Sequence, residues 1–275
     1  EGPCYYRKPI CFVVHGGPGS SHFHYMPSFY ELADTFQLVM IDARNTGFSK
    51  RGDYHENSMK QDAADVEALR QYLGLDKIFL LGQSYGGMEA QQYAIDYGEN
   101  LLGLILTSTT PDYRFESYAD PVVERRGTEE QKKLWELKKA GKITNVAEYV
   151  GKMGSMYHYH YDTPERIQAI KETSVRSAKV NNSQVNLWQR HQGGDVSTFD
   201  HKPYLNKVTC PVLVICGAED FITAPINSQH IKECIPHAEL HVVEEACHEV
   251  YDDRPDVYFP LIKDFANRIA PRELI

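Results

Sequence analysis

Short runs of β-branched and aliphatic residues alternate along this chain with longer stretches in which apolar positions recur every three or four residues. The runs predict strands at Ile10–His15, Phe36–Asp42, Lys77–Gly82, Leu101–Ser108, Cys210–Gly217 and Glu239–Val243. The longer stretches predict helices over 23–34, 58–74, 85–97, 224–235 and 256–269. Strands that alternate with helices build βαβ units, so the fold class is α/β, a mostly parallel sheet with helices on both faces. The alternation stops between Pro111 and Tyr204, where the composition turns polar and aromatic. Within that stretch 127–142 and 163–179 carry N-cap residues, early acids and helical periodicity, which predicts a helical cap inserted into the sheet domain. The expected organisation is a core of residues 1–111 and 204–275 with a cap of 112–203.

The sharpest local signal is Gly82-Gln83-Ser84-Tyr85-Gly86, which directly follows the strand run KIFLL and directly precedes a helical stretch. A serine on such a tight turn projects its oxygen above the sheet, and flanking glycines remove side chains that would clash there. Ser84 is therefore the candidate nucleophile. A serine hydroxyl needs a base, and His248 follows the last strand run, in the loop before the final helix. The base in turn needs an acid to fix its tautomer. Asp220, after the strand CPVLVICG, is assigned that role, with its neighbour Glu219 left as the alternative. Charge developing on a substrate oxygen calls for two preorganised N–H donors. Tyr85 supplies one; the other is assigned to Gly17 in His15-Gly16-Gly17-Pro18-Gly19, with Gly16 as alternate and as a substrate-facing residue.

Composition narrows the partner. A formal net charge of −9, with both signs interspersed, excludes a basic nucleic-acid or anionic-membrane surface and points to a small-molecule or short-peptide substrate. No apolar run approaches the roughly 20 residues of a membrane helix, and the first ten residues lack signal-peptide architecture. Six scattered cysteines without a C-x-x-C pair fit a reducing, cytoplasmic compartment. The chain starts at Glu1, close to its first strand, which leaves room for residues removed upstream. Composition sets no oligomeric state. The run Tyr157-His158-Tyr159-His160-Tyr161 has histidines two apart, but beside Trp188 it reads as an aromatic wall rather than a metal site, so Tyr159 and Trp188 are taken as substrate-binding and no metal is expected.

Together HGGPG, IDARNTGFS with Asp42, Arg44, Gly47 and Ser49, GQSYGG, GAED and ACHE resemble the proline iminopeptidase branch of the α/β-hydrolases. The order Ser84, Asp220, His248 is that of the α/β-hydrolase fold. The resemblance implies a cofactor-free serine enzyme that removes an N-terminal residue or cleaves related amides beneath a helical cap, with His15, Asp42 and Arg44 holding loops. It also implies an acid directly after the triad aspartate to bind the substrate amine; here that position is Phe221, and the cap stretch NNSQVNLWQRHQGG offers Asn and Gln before Asp195. A neutral ester, lactone or amide is therefore a rival substrate, with Phe221 lining the pocket. Glu89, on the helix after the nucleophile, either replaces the missing carboxylate or sits at an exposed edge. Two further readings of the same fold are a carbon–carbon lyase and a ligand receptor.

Overall fold

A computed structural model describes residues 6–270 and 273–274. Its strands are β1 (Tyr6–Arg7), β2 (Ile10–Val14), β3 (Gln37–Ile41), β4 (Ile78–Gln83), β5 (Leu101–Thr107), β6 (Val212–Gly217), β7 (Glu239–Val243) and β8 (Glu273–Leu274). Six of them form one sheet in the order β3-β2-β4-β5-β6-β7, every neighbouring pair parallel. The short β1 and β8 pair antiparallel at the chain ends.

Both faces of the sheet are covered, which is why its central strands read as unbroken apolar runs rather than alternating ones. Successive side chains point to opposite faces. Cys11, Val13, Phe79, Leu81, Ile105, Leu213 and Ile215 pack with Tyr25, Phe29 and the C-terminal helix on one side. Phe12, Val14, Ile78, Leu80, Leu104, Leu106, Val212 and Val214 pack with α1 (Met59–Tyr72) and α2 (Tyr85–Tyr97) on the other. Truncating one such buried Leu or Phe to alanine costs about 2–5 kcal/mol.

The chain runs from β2 outward to β3 and then returns to place β4 on the opposite flank of β2. The strand order therefore reverses between β2 and β4. In parallel sheets ligands bind outside the carboxyl ends of the strands at such a reversal. Those two ends carry the His15–Gly19 loop and Ser84.

Residues 112–203 contain six α-helices: α3 (Asp120–Arg126), α4 (Glu129–Lys139), α5 (Val146–Lys152), α6 (Gly154–Tyr157), α7 (Pro164–Ala178) and α8 (Ser183–Leu187). Thr128 and Gln131 form a capping box at the start of α4, and Thr163 caps α7. The segment departs and returns at one place: Tyr113 N–H donates to the Phe199 carbonyl at 3.0 Å, His201 N–H to that of Pro111 at 2.9 Å, and Asp112 and Asp200 form an antiparallel bridge. Beyond it come α9 (Pro225–Cys234), α10 (Val250–Asp253) and α11 (Pro255–Ile269).

One element differs from expectation. The predicted helix over 23–34 is two 3₁₀ turns, His22–Tyr25 and Ser28–Leu32. Pro27 between them has no N–H to continue a helical ladder.

Candidate active site

Ser84 sits between β4 and α2 at φ 55°, ψ −120°, a backbone conformation that costs roughly 1–3 kcal/mol for a non-glycine residue. The surroundings hold it there. Ser84 N–H donates to the Thr107 carbonyl at 2.9 Å, and Thr109 Oγ1 donates to the Ser84 carbonyl at 2.7 Å. A Cβ at position 82 would lie 2.2 Å from the Gly86 carbonyl oxygen, and one at 86 would lie 2.4 Å from that of Val14, so both glycines of the pentapeptide are sterically required. Gly87 and Met88 N–H groups turn back to the Ser84 carbonyl. Tyr85 N–H, first in the helix, has no intrahelical acceptor.

His248 Nδ1 donates to Asp220 Oδ2 at 2.9 Å, and both side chains are buried. Asp220 also accepts from Ile222 N–H at 2.7 Å, Thr223 N–H at 3.0 Å and Thr223 Oγ1 at 2.8 Å. Burial pushes its carboxyl up, but the charge and hydrogen bond of His248 and the Thr223 donors bring it below the usual carboxylate range. Burial likewise pushes His248 down, and the charge and hydrogen bond of Asp220, helped by the Glu249 charge, more than reverse this, so the imidazole lies above its usual value. Glu219 faces elsewhere: it pairs with Arg125 and lies 3.9 Å from Arg126 Nε. Gln83 ties the serine turn to the histidine loop through Nε2 and the His248 carbonyl at 3.5 Å.

On the other flank, Gly16 N–H donates to the Tyr25 hydroxyl at 2.7 Å, and that hydroxyl donates to Gln83 Oε1 at 3.0 Å. Ala43 N–H donates to His15 Nε2 at 3.2 Å, so the ring proton belongs on Nδ1, which donates to the Gly16 carbonyl at 2.8 Å. Burial keeps His15 below its usual value. Asp42 receives His22 N–H and Nδ1 at 2.8 and 2.9 Å and Phe48 N–H at 2.9 Å, while Arg44 grips Asp65 on α1 with two bonds of 2.7 Å. These motif residues fasten the loops that frame Ser84.

The remaining candidates are dispersed. Phe221 is completely buried, edge-on to Trp135 and Tyr157 with ring centroids 5.9 and 5.1 Å away. Tyr157 in turn stands 6.3 Å from the His248 ring. Tyr159 is 40% exposed, its ring under Arg126. Trp188 donates to the Asn57 carbonyl at 3.4 Å and stands edge-on to His55. Glu89 is not at an exposed edge: it is buried against Asp62 on α1. Among the described residues no group of three or more His, Cys, Asp or Glu is placed to hold a metal, and no helix is long and apolar enough to cross a membrane.

Sequence reasoning missed three residues here. Tyr25 lies in a stretch whose periodicity reads only as packing. Tyr157 belongs to the aromatic run already singled out, two positions from the residue chosen. Arg190 reaches from a π-helical turn, Trp188–Gln192, to the Gly17 carbonyl at 3.1 Å and to Glu116 at 3.3 Å, and nothing in its local sequence announces that.

Residues 9–255 match the family described as alpha/beta hydrolase fold. A proline iminopeptidase of Pestalotiopsis fici, PfmaB, is 28% identical over 264 residues, covering 93% of this chain and 90% of that protein. Among solved structures, a proline iminopeptidase of Mycobacterium smegmatis superposes with a TM-score of 0.76 at 21% identity, over 94% of this chain and 89% of its own. Est816, described as an N-acyl homoserine lactone degrading enzyme, gives 0.72 at 21% identity, over 96% and 95%. The chain belongs to the α/β-hydrolase fold family.

Proposed function

We propose that this protein, a hydrolase of the α/β-hydrolase fold family, cleaves an amide or ester of a small molecule or peptide terminus through an acyl-enzyme formed on Ser84. The observation that carries this reading is a serine held at φ 55° on a strand-to-helix turn, tied through Gln83 to a histidine whose Nδ1 is fixed by a buried carboxylate. With Nδ1–H committed to Asp220, His248 offers Nε2 as the base that takes the Ser84 proton, and Asp220 stabilises the imidazolium that results. The oxyanion would meet Tyr85 N–H and Gly17 N–H; Gly16 is the weaker choice because its N–H is already given to Tyr25. His248 then returns the proton to the leaving group, and water attacks the ester by the same route in reverse.

Residues 112–203 act in this reading as the cap over a core of 1–111 and 204–275, with Tyr157 and Arg190 bringing it to His248 and the Gly17 loop. The names of the relatives support a proline iminopeptidase-like activity. A specific observation favours a second substrate class: where such an enzyme is expected to carry an amine-binding acid, Phe221 is sealed between Trp135 and Tyr157, which suits a neutral ester, lactone or N-acylated amide. The five described cysteines are free, in keeping with a cytoplasmic setting.

The test is a side-by-side assay of prolyl-arylamide, N-acetylprolyl-arylamide, p-nitrophenyl acetate and a simple lactone with wild type and Ser84→Ala. Ser84→Ala is expected to lower kcat by about 10³-fold or more on whichever substrate is turned over. Activity should rise with pH through one ionisation, and because Asp220 raises His248 that midpoint lies above the ordinary histidine value of about 6.5. An active, folded Ser84→Ala protein would exclude the mechanism; the better of the two prolyl compounds decides the substrate class.

A further inference from the structure

Tyr85 contributes its backbone to the turn and its side chain to the neighbouring helix. Its phenol donates to Asp62 Oδ2 at 3.2 Å, and both residues are buried. Four residues along, on the same face of α2, stands Glu89. Asp62 is 3% exposed and Glu89 2%, and the two carboxyls act on one another across the seam between α1 and α2. Asp62 Oδ1 and Glu89 Oε1 have no hydrogen-bond partner among the described residues. Two carboxyls buried this close together do not both ionise, so the pair holds one proton and one negative charge.

Of the other charged groups around the pair, Arg44 attracts Asp62, but its guanidinium is committed to Asp65, on α1 itself. Asp195, packed against the start of α1, accepts Met59 N–H at 2.7 Å and adds a further carboxyl. Asp62 and Glu89 also line a cavity of about 300 Å³ whose wall includes His15, Asp42 and Lys50. Of these, His15 and Asp42 are engaged in the loop contacts described above. Burial first, and the Asp62 charge second, hold the Glu89 carboxyl well above the usual carboxylate range.

We infer that the Asp62–Glu89 pair is a positioning element for the reaction: by anchoring the Tyr85 phenol it fixes the direction of the Tyr85 N–H that receives the oxyanion. The inference rests on that assignment of Tyr85 in the proposed mechanism. An oxyanion donor is effective only when preorganised at about 2.7–3.1 Å from the position the oxygen reaches in the transition state. The residue that carries this N–H is pinned at one end by the serine turn and at the other by Asp62. Without the anchor, a buried phenol must turn to find another acceptor, and the first turn of α2 turns with it.

The loss should appear in kcat rather than KM, because the contact strengthens only in the transition state. With p-nitrophenyl acetate as probe, Asp62→Ala is expected to lower kcat by about tenfold while KM stays within about twofold. Tyr85→Phe, which keeps the ring and removes the donor, should lower kcat in the same sense. Combining it with Asp62→Ala should add little, since both act through one bond. Asp62→Asn should restore kcat to within about threefold of wild type, because its amide oxygen accepts the phenol and its NH₂ donates to an ionised Glu89. Wild-type kcat, after its rise through the His248 ionisation, is expected to fall again at alkaline pH as the shared proton leaves, and Glu89→Gln, which supplies a permanent donor to Asp62, should lack that fall. Unchanged kcat in both Asp62→Ala and Tyr85→Phe would overturn the inference even if their melting temperatures fell, since that is the signature of a packing seam alone. If Asp62→Ala does not fold, Tyr85→Phe and Asp62→Asn decide it. Ser84→Ala run in parallel separates the failures: an active Ser84→Ala removes the mechanism, whereas an inactive one beside wild-type-like pair variants removes only the positioning role.

Discussion

Asp220 and Glu89 are both buried carboxyl groups, and their surroundings shift them in opposite directions. Asp220 is completely buried yet receives four hydrogen bonds, from Ile222 N–H, Thr223 N–H, Thr223 Oγ1 and His248 Nδ1. Glu89, nearly as buried, meets another acid. Burial raises both; the His248 charge and the surrounding donors pull the first below the usual range, and the neighbouring Asp62 and Asp195 carboxyls hold the second well above it. Depth in the protein therefore does not assign charge; the polar company does. In the proposed mechanism the first carboxylate orients the base, and in the inferred positioning element the second supports the helix beside it.

The largest effect that can break this contrast is Asp220→Asn. Removing the charge while keeping the shape leaves the imidazolium unsupported, and kcat should fall on the order of 10³- to 10⁴-fold. A loss below about tenfold, measured with chemistry rate-limiting, would mean that hydrogen bonding rather than charge is what Asp220 contributes.

A smaller effect comes from melting temperature against pH. The folded pKa of Glu89 is raised, so its contribution to stability is complete below the unfolded value of about 4.3 and drains away as pH rises towards the folded value. Glu89→Gln has nothing to lose over that range. The variant's melting temperature minus the wild type's should thus climb from pH 5 to pH 9, by about 3 °C or more. Asp220 behaves in mirror image: its folded pKa is depressed, so its contribution is present above about 3.9 and is lost as pH falls through the folded value. A Glu89→Gln difference that stays flat would show the pair to be already ionised at pH 5.

The smallest effect is Glu219→Gln. Its carboxylate lies with Arg125 and Arg126 rather than with His248, so kcat is expected to stay within about twofold of wild type. A loss rivalling that of Asp220→Asn would move the acid by one residue.

What could be read in advance follows the range of the interactions involved. The strand–Gly-Gln-Ser-Tyr-Gly–helix turn was legible because all of its requirements are local: an apolar run, two glycines without room for a Cβ, and a helix start. The six strands of the main sheet were legible because a sheet covered on both faces leaves continuous apolar runs. The choice between Asp220 and Glu219 could not be made from position alone, since it depends on which carboxyl faces a loop 28 residues away. The Asp62–Glu89 pair depends on two helices closing face to face; the Tyr85, Glu89, Tyr93 spacing on α2 shows a shared face, but not that Asp62 and Glu67 stand opposite. Tyr25 bridges two loops through one oxygen, a long-range event with no trace in hydrophobic periodicity.

The staple at the two ends of residues 112–203 bears on how such molecules diversify. Tyr113 bonds to Phe199 and His201 to Pro111, while β5 and β6 pair directly from Leu104–Thr107 to Val212–Ile215. The gap the segment must bridge is thus set by its own closed neck and is indifferent to how much chain is looped out beyond it. A change of length within residues 113–199 therefore leaves the pairing of β5 and β6 in place. A laboratory graft across that neck would have to keep the contacts through which the segment still touches the core, Arg190 to the Gly17 carbonyl and Met59 N–H to Asp195.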